Sequence, residues 1–275
     1  MNKYRIAWLL AAITSLFLYY SGMVWLYQFI RRRILKQYKT TILMYHRVRD
    51  DGCDPHMSVS PENFEKQIRF VAKNYDVISL SELLRRQELK LANTRDTLVI
   101  TFDDGFKDNF DNAYPILKKY STAATIFLIA GAIGKDETML NELEIREMQS
   151  SLVEFGSHTV THPILATLPA QVATAEIVDS KRMLQQLLKQ EVNLFAYPKG
   201  KKNVHYTPAI KSIVQKAGYS AAVCTDNGVV TLESDPFELN RIGIRNFPMF
   251  VVKTRISGIF ESFPVRFVRG FLGVT

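Results

Sequence analysis

Eight short apolar runs, separated by stretches of helical periodicity, constrain this chain more than any other feature. The runs lie at residues 41–45, 77–80, 97–102, 123–129, 153–157, 192–197, 220–224 and 239–244. Their lengths suit strands covered on both faces, and the helical stretches between them suit crossover connections. Three helices can be placed in detail. Ser60 is set to cap a helix that Pro61 starts and that carries Phe64, Ile68 and Val71 on one face. A second covers 169–189, with Ile177, Leu184, Leu187 and Leu188 aligned, and a third covers 208–217 and stops at Gly218. This alternation predicts an α/β fold built on a mostly parallel sheet. A distorted (β/α) barrel of seven or eight strands fits the count better than an open doubly wound sheet, and no internal repeat interrupts it.

Two short motifs fall at the ends of these strands. Thr101-Phe102-Asp103-Asp104-Gly105 ends the third run on adjacent carboxylates. Ser157-His158-Thr159-Val160-Thr161-His162 follows the fifth run and places two imidazoles four residues apart. Neither motif is specific alone, since an Asp-Asp pair is often a solvated turn and spaced histidines are often unrelated. Together, at the strand ends where α/β sites assemble, they are specific. One carboxylate and two imidazoles form a ligand set for a divalent ion that keeps positions open, which leaves the second carboxylate as a base. Such equipment suits hydrolysis of an amide or ester.

The chain carries a formal net charge of +8, and Arg31, Arg32, Arg33, Lys36 and Lys39 supply a cluster of it. No zinc knuckle, RNA-binding signature or basic recognition helix accompanies that charge, so no nucleic-acid partner is expected. Residues 6–30 form an apolar run that, at ~1.5 Å per residue, would extend about 37 Å as a helix. Tyr19, Tyr20, Trp25 and Tyr27 suit a lipid interface, and Arg31 to Arg33 close the segment. The expectation is one uncleaved transmembrane helix contacting membrane lipid, with anchor and basic flank over 1–39, in a single-pass inner-membrane protein. A cleavable signal peptide is the alternative. Flanking charges lean toward a cytoplasmic catalytic side without resolving it. A catalytic domain would occupy 40–246. The tail, 247–275, is basic and amphipathic, and either lies on an anionic membrane surface or packs back on the barrel as a last helix. Cys53 and Cys224 make no disulfide framework, although a single bridge stays open.

The motifs, with the later Phe195-Ala196-Tyr197-Pro198-Lys199-Gly200, resemble those of the polysaccharide deacetylases of carbohydrate esterase family 4, the NodB-homology domain. Met44-Tyr45-His46-Arg47-Val48 is similar to the opening of the poly-N-acetylglucosamine deacetylase branch. The resemblance covers 40–245. It implies that Asp104, His158 and His162 hold a divalent metal, zinc foremost, with cobalt, nickel or manganese as alternatives. It also implies that Asp103 is the general base and that the Tyr197 backbone N–H meets the oxyanion. The implied activity is hydrolytic removal of N-acetyl groups from an N-acetylhexosamine-containing glycan. The chain departs from the family in three places. No histidine follows His205, where many members carry a late Leu-x-His motif, Ala196 replaces the usual arginine, and Lys199 stands where an aromatic is common. His46, at the end of the first strand, is therefore the candidate general acid, and Arg241, at the start of the last, is the candidate partner of Asp103. Two other readings follow from these departures and the apolar segment: a deacetylase or deformylase of a lipid-linked sugar, and a catalytically silent glycan-binding relative.

Overall fold

The structure, a computed structural model, describes residues 3–50, 57–149 and 152–262. Its strands are β1 (Thr40–Tyr45), β2 (Arg47–Val48), β3 (Ser58–Val59), β4 (Asp76–Ile78), β5 (Thr97–Phe102), β6 (Ala124–Leu128), β7 (Val153–Ser157), β8 (Leu194–Ala196), β9 (Ala221–Val223) and β10 (Arg241–Gly243). Its α-helices are α1 (Lys3–Tyr20), α2 (Met23–Phe29), α3 (Pro61–Asn74), α4 (Leu80–Glu88), α5 (Tyr114–Lys119), α6 (Glu142–Met148), α7 (Ala170–Leu188), α8 (Pro208–Lys216), α9 (Met249–Ile256) and α10 (Ile259–Ser262). The main sheet runs β10-β1-β5-β6-β7-β8-β9, with β4 added beside the first half of β5, and every ladder in it is parallel. Leu239, two residues ahead of β10, bridges Val223 of β9 in parallel, which brings the sheet round to a nearly closed barrel. All eight expected runs contribute to this ring, the run at 239–244 as Leu239 and β10. The short parallel pair β2–β3 was not foreseen, because two-residue strands leave no periodicity to read.

Alternation along each strand sorts side chains into two layers. Ile42, Val99, Phe127, Leu194, Ala196, Ala221, Val223 and Leu239 form one buried cluster inside the ring. Leu43, Ile100, Phe102, Ile126, Phe155 and Phe195 belong to the outer cluster that α3, α7 and α8 cover. The expected helices are present. Ser60 accepts from Asn63 N, Pro61 begins α3, and Phe64, Ile68 and Val71 are buried. In α7 the stripe Ala173, Ile177, Leu184 and Leu188 is buried, and in α8 Ile210 and Val214 are.

The amino-terminal segment departs from expectation. Among the described residues no single helix is long and apolar enough to cross a membrane; instead Leu9–Tyr20 and Met23–Ile34 form a pair bent by 64°. The break falls at Ser21-Gly22, where Gly22 has φ +80° and open space beside it. The basic flank is not a free charge cluster either. Arg31 is buried and donates to both Asp96 oxygens, at 2.7 and 2.5 Å, while Arg32 Nε donates to Asp96 Oδ2 at 2.7 Å. These arginines tie the helices to the start of β5, so they act in folding as well as in any membrane orientation. At the other end α9 packs on α1 and α3, and buries Val251, Val252 and Ile256. The apolar side chains of this first part of the tail therefore face protein, and residues beyond 262 lie outside the described residues. Cys224 is a buried free thiol, and Cys53 and His56 lie outside the described residues.

Candidate active site at the mouth of the barrel

β5 delivers the two carboxylates with opposite surroundings. Thr97, Val99 and Thr101 point into the ring, and Asp103 continues that inner row at the carboxyl end. There both its oxygens receive Arg241, Nη1 to Oδ1 and Nη2 to Oδ2, each at 2.7 Å. Arg241 is fully buried, and its remaining donors go to Cys224 O at 2.9 Å and Thr101 Oγ1 at 3.1 Å. Burial alone would raise the Asp103 carboxyl, but the Arg241 guanidinium, helped by neighbouring imidazoles, holds it well below the usual carboxylate range. Asp104 sits next in the left-handed region, with φ 74°, and its carboxylate meets the two imidazoles of the histidine motif. Gly105 follows at φ +78°, where an added Cβ would lie 2.7 Å from Leu128 Cδ2. That close approach explains the glycine of the motif.

The histidine motif closes on Asp104 from β7. His158 Nε2 and His162 Nε2 lie 3.6 and 3.5 Å from the same oxygen, Asp104 Oδ1. That oxygen is buried and has no hydrogen-bond partner. His158 Nδ1 is 2.7 Å from Ala196 O, so Nδ1 carries the proton and Nε2 presents its lone pair to Asp104. An orphaned buried carboxylate oxygen and a tautomer fixed with Nε2 bare are what a divalent ion requires, and the three ligand atoms lie within 4.8 Å of one another. The residues fit a metal.

Charge in this cluster is arranged for the same purpose. Burial lowers His158 to about 3 and also lowers His162, so both imidazoles are neutral and ready to ligate near pH 7. Burial, followed by the like charge of Asp103, pushes Asp104 up to about 7. An incoming ion must therefore displace a proton from Asp104 at lower pH. Apparent zinc affinity is expected to fall by about tenfold per pH unit below about pH 7 and to level off above it. Calorimetry in two buffers of different ionisation enthalpy should report about one proton released per ion on the acid side. An affinity that stays flat across this range would contradict the raised carboxyl.

A family model for polysaccharide deacetylase matches residues 90–222. YxkH of Bacillus subtilis (strain 168), named as a polysaccharide deacetylase, is 31% identical over 212 residues, which cover 76% of this chain and 72% of YxkH. The chain belongs to the polysaccharide deacetylase family. The deacetylase is also 31% identical over 220 residues to the poly-beta-1,6-N-acetyl-D-glucosamine N-deacetylase of Staphylococcus aureus (strain MRSA252), covering 74% of each. The solved structure of Streptococcus pyogenes deacetylase PplD in complex with acetate matches it with a TM-score of 0.72 and 30% identity, over 79% of this chain and 98% of that one.

Among the other anticipated site residues, the deacetylase brings His46 to the mouth and pairs the Tyr197 amide within the sheet. His46 directly follows β1, in the inward row of Ile42 and Met44, and is half-buried. Burial lowers it to about 4, while the negative charge of Asp103 opposes that and the charges of Arg241, Arg245 and His162 reinforce it. The Tyr197 amide already donates to Val223 O at 3.2 Å in the β8–β9 pairing. Its ring belongs to the outer layer with Phe195, stacked on Tyr206 at 3.8 Å, and its hydroxyl donates to Phe237 O at 3.2 Å. In this structure the Tyr197 N–H is engaged by a sheet carbonyl, which an oxyanion would have to displace. The alternation Leu194-Phe195-Ala196-Tyr197 could have signalled which way that ring points.

Two contributors were missed from the sequence. Glu176 of α7 accepts from Val160 N and Thr161 N at 2.9 Å and from Thr161 Oγ1 at 2.7 Å, clamping the loop between the histidines. That loop needs a clamp because Thr159 and His162 both have positive φ, 68° and 62°. Nothing in sequence spacing links Glu176 to this loop. Lys199, where an aromatic is common, is exposed with φ 58°, and its charge acts on both Asp104 and His162.

Proposed function

We propose that the deacetylase hydrolyses N-acetyl groups of an N-acetylhexosamine-containing polysaccharide, with a divalent ion held by Asp104, His158 and His162. The observation that carries this reading is the unpartnered Asp104 oxygen facing two imidazole nitrogens beside an ionised, arginine-held Asp103. The relatives named as polysaccharide and poly-N-acetylglucosamine deacetylases support the substrate class. Two nitrogens and one carboxylate suit zinc foremost, and equally admit cobalt, nickel or manganese. Bound there, the ion would polarise the acetamide carbonyl and acidify water.

The chain's own groups divide the proton transfers. Asp103 accepts the proton of the attacking water, and Arg241 keeps that carboxylate ionised and aimed into the mouth. His46 protonates the departing amine nitrogen. Its ring is neutral at rest, because burial holds it near 4. Negative charge that develops on the substrate oxygen raises His46, which takes up a proton from solvent and passes it to the amine nitrogen, while Asp103 returns the proton of the attacking water to solvent once acetate has left. The test is acetate release from N-acetylglucosamine oligomers by the full chain, metal-stripped and then with zinc, cobalt or manganese restored. Activity is expected only after metal is restored and is expected to vanish in Asp104→Ala. Metal-independent release would overturn the ligand assignment, and no release despite tight metal binding would overturn the substrate class.

A further inference from the structure

The bent helix pair α1–α2 has one face on protein and one face without a partner. On the inner side Lys253 Nζ donates to Tyr19 OH at 3.0 Å, Thr254 Oγ1 donates to Ser15 O at 3.5 Å, and the rings of Tyr20 and Phe250 lie 6.0 Å apart. Tyr27 OH donates to Gly258 O at 3.1 Å, and Arg31 and Arg32 bind Asp96. The outer side carries Ile13, Phe17, Trp25, Phe29 and Ile34; Phe17 is 65% exposed and Trp25 67%. Large apolar side chains lined up on the outer side of two successive helices have no reason to face water.

Length and attachment decide how such a face meets lipid. From Ser15 onward α1 is held along α9, which leaves residues 3–14, about 18 Å of helix at ~1.5 Å per residue. A hydrocarbon core of about 30 Å needs more than that. Carrying the rest of α1 across would draw in α9, with Lys253 and Arg255, and the barrel wall beneath it. The 64° break at Gly22 removes the alternative of one continuous span. Charge names the surface. No Asp or Glu precedes Asp50, whereas Lys3, Arg5, Arg33 and Lys36 lie on or beside the two helices. Basic residues flanking an apolar helical face match an anionic headgroup layer.

We infer that α1 and α2 form a monotopic docking module, which seats the barrel on one face of an anionic lipid bilayer without crossing it. The apolar side chains enter the headgroup–acyl boundary, and the amino terminus stays on the same side as the active site. This holds whatever glycan the barrel accepts.

The experiment uses the full chain with vesicles of phosphatidylethanolamine and phosphatidylglycerol, and with phosphatidylcholine alone. The chain should float with the anionic vesicles. Phe17→Glu together with Trp25→Glu should weaken that binding by at least about tenfold, and acetate release from a soluble oligomer should be unchanged. Sidedness is read with Asn2→Cys in a Cys53→Ser background, in sealed vesicles whose barrels are open to external protease. An impermeant maleimide should label that thiol from outside. A thiol shielded until detergent is added would mean that the segment spans, and would overturn the inference. Failure to float, with a dimer that dissociates in the Phe17 and Trp25 variant, would overturn it in favour of a second copy covering the face.

Discussion

Asp103→Asn is expected to reduce kcat/KM by about 10³-fold while zinc still binds, the effect that loss of a general base produces. The substitution keeps the shape of the side chain and one acceptor for Arg241, but removes the group that takes a proton from water. Asp104, His158 and His162 are untouched, so the ligand set persists. Its acid-side pH dependence should move toward lower pH, because the like charge that helps to raise Asp104 is gone. Parallel calorimetry and acetate assays separate the two properties. Activity within tenfold of the parent would defeat the assignment of Asp103 as base.

Arg241→Met should have a comparable effect by a different route. The guanidinium lies wholly inside the barrel and supplies both hydrogen bonds to Asp103. Its removal strands a buried carboxylate, a change that costs about 3–5 kcal/mol in comparable pairs. The sign of the pH dependence follows from the depressed carboxyl. In the parent, the stability contributed by Asp103 is fully present above the unfolded carboxyl pKa of about 4, and is lost only as pH falls through the much lower folded value. In Arg241→Met the carboxyl rises instead and is protonated at neutral pH, so activity should drop and then recover partly as pH increases. Adding Asp103→Asn should restore much of the stability and none of the activity. A variant that melts like the parent, with an unchanged pH–rate profile, would show that Arg241 neither charges nor aims the base.

The two predictions rest on features that differ in how readable they were. The TFDDG and His-x-x-x-His motifs stand beside their strands, so short-range pattern sufficed to bring Asp104, His158 and His162 to one rim. Arg241 was readable only as a residue starting the last strand, and its bidentate pair with Asp103 spans 138 positions. That the Tyr197 amide donates to Val223 O of β9 is not revealed by a strand assignment alone.

The chain by itself determined the alternation that makes a parallel barrel, the capped helices that cover it, and a cluster of one carboxylate and two imidazoles delivered at strand ends. These depend on local periodicity, turn residues and burial, which neighbours in sequence encode. Tertiary structure alone decided which charge pairs with which: Arg31 with Asp96 rather than with a membrane surface alone, Arg241 with Asp103, and Glu176 with the histidine loop. It also broke the amino-terminal helix at Gly22 and laid it against α9. Such pairings are set by closure of the barrel, which brings distant side chains within hydrogen-bond reach and removes the water that would otherwise screen them.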